Sequence, residues 1–343
     1  MQGEHSSQSS FFGMIYDELV PPDHLLRRIA ATVDFDFVSE LVGDCYCLDN
    51  GRPSWDPLVL FKVVFLQFLY DLSDREIEEQ VNFPLVCKWF AGLQPEEKAP
   101  DHTVLCRFRS RLGAEKFQAI FNQIIAQARD AGLVHDRLRI IDATHLQAKV
   151  DLFRLPSAPP GTPPSEAPGS PDPEARFGRK SAKKSFYGYK EHLAIDADSE
   201  LITAVEITPG NVADSEVFAP LVDPQAQEVT ADKGYDTNAN HQKLKAQGQR
   251  SSIILKQNRT APQVIGQANR KSQRERPCIE RKFAEQKQHH GLGQARYWGR
   301  AQVTIQALLT CIVVNCKRWA KLVNTAPQLP RAALCPADAS GGC

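Results

Sequence analysis

Two patterns of apolar positions divide the chain. From about residue 11 to 133 the spacing is helical: Leu25, Ile29, Val33 and Phe37 recur at intervals near one turn. Asp56-Pro57 opens a strongly apolar stretch, LVLFKVVFLQFLYDL, with the proline suited to a first helical turn. Ser73 and Glu76 have the spacing of a capping box ahead of another helix, which Asn82-Phe83-Pro84 ends. LVCKWFAGL is the next helix. The pair reads either as a helix-turn-helix that enters DNA or as two helices simply packed together. A helix capped near Asp101-His102-Thr103 ends at Gly113, and Glu115–Ala131 forms one more, stopped by Gly132.

After Gly132 the pattern becomes strand-like. Arg137–Ala148 (RLRIIDATHLQA) has an apolar centre at Ile140-Ile141, and Phe186–Pro209 alternates as two strands around a polar turn, a hairpin. A helix over Asn211–Leu221, a strand over Glu228–Ala231, a helix over Asn238–Gln247 and a strand over Ser252–Lys256 follow. A basic loop then leads to two last helices, Arg276–His290 and Ala301–Val323. Leu155–Glu174 is dominated by Pro, Ser, Gly and Ala and predicts a surface loop with no reason to pack. This order predicts an α/β fold with a mixed sheet flanked by helices, and it matches a ribonuclease-H-like core. The expected organisation is an all-helical, DNA-binding N-terminal domain over 11–133 and a catalytic domain over 134–323. A disordered Pro-rich insertion is expected at about 155–175 and a flexible tail over 324–343.

Composition narrows the function. With 42% hydrophobic and 24% charged residues the 343-residue chain is of ordinary globular type and long enough for two domains. The longest apolar stretches, Pro57–Leu72 and Val303–Val314, are too short or too interrupted to span a membrane. The first ten residues lack the order of a secretion signal, so cytoplasmic residence is the default expectation. Nine cysteines without a CxxC pair predict reduced, mostly buried thiols rather than a zinc site. The balance of 41 basic and 41 acidic residues argues against a uniformly basic DNA binder. Arg176–Lys190 nevertheless holds six basic residues and no acidic one, and basic residues outnumber acidic ones from Lys243 to Lys282. A locally basic groove fits that distribution.

Three acids sit where phosphodiester chemistry could use them. Two divalent cations can activate a nucleophile and stabilise a leaving oxyanion, and hard cations call for Asp and Glu on a rigid frame. Asp142 follows the apolar run of a strand; alone, it also fits a strand-end acid paired with Arg137 or Arg139. Asp232 ends a short strand before Lys233-Gly234-Tyr235, where a turn-capping aspartate is the other reading, and Asp236 nearby is expected to be a structural cap. Glu280 lies on a late helix with Arg276 and Lys287 on the same face, and Glu285 is its nearest rival. His145, His289 and His290 read as polar partners near the groove, and Tyr297 and Trp298 as core packing or base stacking.

In order and spacing these segments resemble bacterial insertion-sequence DDE transposases of the insertion-sequence-five group, related to the insertion-sequence-four group. GRPSWDPLVLFKVVFLQFLYDLSDREIEEQV and PDHTVLCRFRSRLG resemble the family's N-terminal region. RIIDATHLQAK, VTADKGYDT and RPCIERKFAEQKQHHGLGQARYWG resemble its three catalytic blocks, and the likeness runs from about residue 11 to 323. It implies that Asp142, Asp232 and Glu280 are catalytic metal ligands for two Mg²⁺ ions, with Mn²⁺ able to substitute. It also implies DNA contacts by Arg276 and Lys287; Lys183, Lys184 and Lys190 are further expected phosphate contacts. The related signature of Tyr, Arg, Glu and Lys is met by Arg276, Glu280 and Lys287, with Gln273 in the tyrosine position. The implied partners are double-stranded DNA, as terminal inverted repeats and target, and a second copy of the chain on DNA. The rival readings are a nuclease of the same fold without strand transfer and a catalytically silent DNA-binding regulator.

Overall fold

The computed structural model describes residues 11–46, 54–157, 159, 161–181, 184–256, 269 and 274–325. Short helices α1 (Phe11–Leu19), α2 (Leu25–Thr32) and α3 (Phe37–Leu41) lead into α4 (Pro57–Leu69). The Asp56 carboxylate accepts from the Leu58 N–H at 2.8 Å, and Pro57 begins the helix where an N–H has no partner to lose. Ser73 and Glu76 form the reciprocal capping box that opens α5 (Asp74–Asn82). Helix α6 (Leu85–Ala91) follows at once. Cys87, Lys88, Phe90 and Ala91 are buried, and the Lys88 ammonium donates to the carbonyls of Pro95 and Glu97. The two helices pack against each other, with the α6 cation turned inward.

Helix α7 (His102–Asp130) is two helical segments that meet at Gly113, whose φ of 63° and ψ of 177° lie outside the helical region, so the first segment ends there as expected. The last helix, α11 (Arg300–Thr325), packs against α7, α2 and α4 on one side and the sheet on the other. One hydrophobic core therefore runs from Leu26 to Ala320 and is shared by the helical region and the sheet. Position 133 marks a change of secondary structure and not a gap in packing.

The sheet is built on β1 (Arg139–Gln147). It lies antiparallel to β3 (Lys184–Asp196), which lies antiparallel to β4 (Ile202–Pro209). On the other side β5 (Glu228–Ala231) runs parallel to β1, and β6 (Arg250–Ser251) parallel to β5. The order β4-β3-β1-β5-β6 is the ribonuclease-H-like topology. Strand β2 (Arg176–Ser181) pairs with the first residues of β3, which β4 does not reach. Helices α8 (Phe218–Leu221), α9 (Asn238–Ala246) and α10 (Pro277–His289) complete the described elements.

Three expectations need correction. The helix over 211–221 is a 3₁₀ turn at Asp214–Val217 followed by the single turn of α8, because Pro220 has no N–H to continue it. The strand placed at 252–256 is assigned two residues earlier, although Ser252 and Ile254 still donate to Val229 and Ala231 of β5. The Pro-rich insertion does pack at its C-terminal end. Asp172 is fully buried, and its Oδ1 accepts from the Tyr189 hydroxyl at 2.6 Å and the Gly299 N–H at 3.2 Å. Glu174 accepts from the Arg300 N–H at 2.8 Å, so the insertion caps the N-terminus of α11 from outside the helix. Ala175 then enters the core. Proline-rich composition signalled the loop; two carboxylates that satisfy a distant helix end are not visible in composition. Asp172→Ala strands the Tyr189 hydroxyl and removes part of this cap. We expect it to lower stability by roughly 2–4 kcal/mol in urea unfolding. An unchanged midpoint would show that the insertion does not hold α11.

Candidate active site

Strand pairing sets two of the acids side by side. Ile141 of β1 pairs with Ala231, the last residue of β5, so Asp142 and Asp232 leave adjacent parallel strands at the same level. Asp232 precedes a 3₁₀ turn at Lys233–Tyr235, yet its side chain makes no capping bond. The turn-capping reading therefore does not describe it. Arg137 and Arg139, the other partners considered for Asp142, are engaged elsewhere: Arg137 with Asp198, Arg139 with Asp136 and Asp223. Asp142 accepts instead from the Ala143 N–H at 2.8 Å.

Helix α10 brings the third acid. Pro277 is its first residue, Arg276 immediately precedes it, and Glu280 falls in the first turn. The Arg276 guanidinium lies 3.0 Å from Asp142 Oδ2, 3.3 Å from Asp232 Oδ1 and 4.0 Å from Glu280 Oε1. One cation is thus shared by acids from a central strand, a strand end and a helix far along the chain. Burial pushes the Asp142 carboxyl above the usual carboxylate range, and Arg276 offsets only part of this. Burial alone would lower the Arg276 pKa, but Asp142 and Asp232 outweigh it and hold the guanidinium above its ordinary value. Anionic oxygens in a partly dry setting around one positive group are a donor set suited to a hard divalent cation. The guanidinium holds the three acids around itself, and they do not close on a single point. The group of ligand atoms that do fall within 4.8 Å of one another among the described residues is Glu78, Asp101 and His102. There Asp101 caps α7 and Glu78 accepts from the His102 N–H, so the grouping has a structural cause.

The other singled-out residues fall in several places. The Lys287 ammonium donates to Thr144 Oγ1 at 2.6 Å and to the His145 carbonyl at 3.0 Å, tying α10 to β1 beyond Asp142. Lys190 is paired with Asp214 at 2.8 Å and also donates to the Val212 carbonyl. Lys184 opens β3 and is exposed. Lys183 and Gln273 lie outside the described residues. Asp236 is buried and accepts from His241 and the Lys256 N–H, a structural role. Glu285 is paired with Lys317. His290 is buried between the Phe68 carbonyl and Lys317, and the His145 ring lies 5.3 Å from that of Phe186. Tyr297 lies under Arg109, whereas Trp298 remains 54% exposed.

Two neighbours in β3 carry polar chemistry that the sequence reading passed over as hairpin. Glu191 is enclosed on the face toward α10 and α11, and burial pushes its carboxyl up to about 7. His192 is enclosed on the other face, where its ring nitrogens meet the Tyr235 hydroxyl at 3.3 Å and Thr208 Oγ1 at 2.9 Å. Burial pushes it down to about 4, so the ring is neutral, and its bond to Tyr235 braces the turn after Asp232. The available signal was KEHLAI, which places charged and ionisable residues in the middle of an otherwise buried strand.

Comparison with known proteins gives two matching family models: Transposase domain (DUF772) over residues 14–111, and Transposase DDE domain over residues 135–316. Among solved structures, a piggyBac transposase synaptic complex with hairpin DNA is 9% identical, with 94% of this chain and 84% of that one covered and a TM-score of 0.40. The Mos1 strand transfer complex is 12% identical, with 81% of each chain covered and a TM-score of 0.23.

Proposed function

Since the chain belongs to the family of transposases with a DDE domain, we propose that it cuts DNA at transposon ends and joins the freed 3′-OH to target DNA, with Asp142, Asp232 and Glu280 as its catalytic acids. The observation that carries this reading is the single guanidinium to which all three acids are drawn. Asp142 and Asp232 would hold one divalent cation and Asp142 and Glu280 a second, Mg²⁺ or Mn²⁺, to activate the attacking water and stabilise the departing 3′ oxygen.

The chain's own residues do the rest. Asp142 and Asp232 gain rigidity from their strands, while Glu280 comes on a helix whose position Lys287 fixes through Thr144 and His145. Arg276 is the counter-ion of the three acids when no other cation is there. When one is bound, Arg276 is free to turn to a DNA phosphate, which a guanidinium can grip with two parallel hydrogen bonds. Lys184, exposed at the start of β3, is a phosphate contact of the kind that holds DNA without reading its sequence. Lys183 belongs to the same basic run. Lys190 joins it only if its pair with Asp214 opens. Base recognition falls to the N-terminal helices, and two copies of the chain on DNA bring two ends together.

The test is incubation with the DNA that flanks the chain's own reading frame, with Mg²⁺ or Mn²⁺, and mapping of cut and joined products. Cutting at paired ends with strand transfer supports the reading. Hydrolysis alone on pre-cut ends points to a nuclease, and binding without cutting to a silent regulator. A pH effect follows from Asp142. Its raised pKa means that a proton competes for the site at a higher pH than at an ordinary aspartate. We expect the Mn²⁺ concentration for half-maximal cleavage to rise as pH falls toward the acid range. A pH-independent requirement would remove Asp142 from the ligands.

A further inference from the structure

Glu191 has no part in the chemistry above, yet it is placed at unusual expense. It pairs with Thr144 in the β1–β3 register and is 1% exposed. Its Oε1 accepts from Gln286 Nε2 on α10 at 2.9 Å, and the Cys311 thiol of α11 lies 3.9 Å away. Both of these partners are neutral. Burial disfavours its charged form, opposed by Gln286, Lys287 and Cys311, and its pKa is pushed up to about 7. An apolar side chain of similar volume would fill the same space at less cost. What it could not supply is direction.

Gln286 is itself fully buried. Its neighbour Lys287 donates to Thr144 and to the His145 carbonyl. Consecutive residues of α10 are therefore bonded to two adjacent strands, β3 and β1. Two directional bonds to different strands fix the rotation of the helix about its axis as well as its place along the sheet. The buried apolar contacts of Ile279 and Phe283 are non-directional and resist rotation far less. Glu280 is six residues from Gln286, about 9 Å along the helix axis. Any rotation of α10 sweeps its carboxylate sideways past Asp142 and Asp232.

We propose that Glu191 is a positioning residue: through Gln286 it fixes the rotation of α10 and so aims Glu280 at the two aspartates. This rests on the reading of the three acids as metal ligands. The Oε1 of Gln286 has no hydrogen-bond partner among the described residues. In Glu191→Gln the new amide keeps the acceptor and gains a donor for that oxygen, so this variant preserves the link.

The test is a Mn²⁺ titration of the full chain, with free ion read by electron paramagnetic resonance, beside Mg²⁺-dependent strand cleavage. Glu191→Leu and Gln286→Leu should each raise half-saturation about ten- to a hundredfold. The double variant should be no worse than either single one, since each breaks the same link. Glu191→Gln should bind as the wild type does. If Glu191→Leu does not fold, Gln286→Leu carries the same comparison. Wild-type half-saturation in the leucine variants, or fully additive losses in the double one, overturns the proposal. Glu280→Gln separates the two levels. If it weakens Mn²⁺ binding and the leucine variants do not, the positioning role alone is wrong. If Glu280→Gln binds Mn²⁺ normally, the metal-ligand reading fails and the positioning role falls with it.

Discussion

Asp232→Asn leaves the chain folded and lowers Mg²⁺-dependent cleavage of transposon-end DNA by roughly 10³-fold or more. The magnitude reflects the several kcal/mol of transition-state charge stabilisation that a correctly held cation supplies, about 1.4 kcal/mol for each factor of ten. The fold survives because Asp232 makes no cap to its turn and its side chain is 32% exposed. Its partner Arg276 keeps Asp142 at 3.0 Å. Asparagine reproduces the shape but has no anionic oxygen to offer. Asp142→Asn and Glu280→Gln should behave alike in cleavage, and thermal melts of all three should stay near the wild type. Wild-type cutting by Asp232→Asn would remove it from the catalytic set, whatever the other two variants do.

Asp74→Ala produces the largest loss of stability we expect from a single surface-adjacent change, roughly 3–5 kcal/mol. Arg109 of α7 has a side chain only 3% exposed, paired with Asp74 of α5 at 2.7 Å and accepted by Gln67 Oε1 of α4 at 3.1 Å. Gln67 in turn donates to Asp74 at 2.8 Å. Removing the acid leaves a buried guanidinium with only neutral neighbours in this set: the Gln67 amide, the Cys106 sulfur at 3.4 Å and the face of Tyr297, 5.2 Å away. Replacing both charges, as Arg109→Met with Asp74→Leu, should recover much of the loss, because the cost lies in the unpaired charge and not in the missing bond. Urea unfolding of the three variants checks this. A loss below about 1 kcal/mol for Asp74→Ala would place the pair in the class of weak surface bridges.

What the sequence disclosed and what it hid divide along a physical line. Local signals were dependable: the Asp56-Pro57 start, the Ser73/Glu76 box, the break at Gly113 and the strand ending at Ala231 each depend on a few neighbouring residues. Asp142 and Asp232 could be singled out because each follows an apolar strand. Their equal level on β1 and β5 follows from a register that no local pattern states. Non-local satisfaction was invisible. Asp172 and Glu174 lie in a segment whose prolines suggested a loose loop, and the N–H groups they accept from are more than a hundred residues away. Glu191 and Gln286 are 95 residues apart, and each read as an ordinary polar position in its own element. The charge of Lys190 looked available for DNA until the fold set Asp214 beside it. For α6, helix boundaries were legible, but which face turned inward depended on helices elsewhere in the chain.

The most direct measurement is anomalous scattering from a crystal of the chain with transposon-end DNA and Mn²⁺. The account predicts manganese about 2 Å from carboxylate oxygens of Asp142, Asp232 and Glu280, with the Arg276 guanidinium turned away toward phosphate. Arg276 still bridging the three acids, with manganese found at Glu78, Asp101 and His102 or nowhere on the chain, would contradict it.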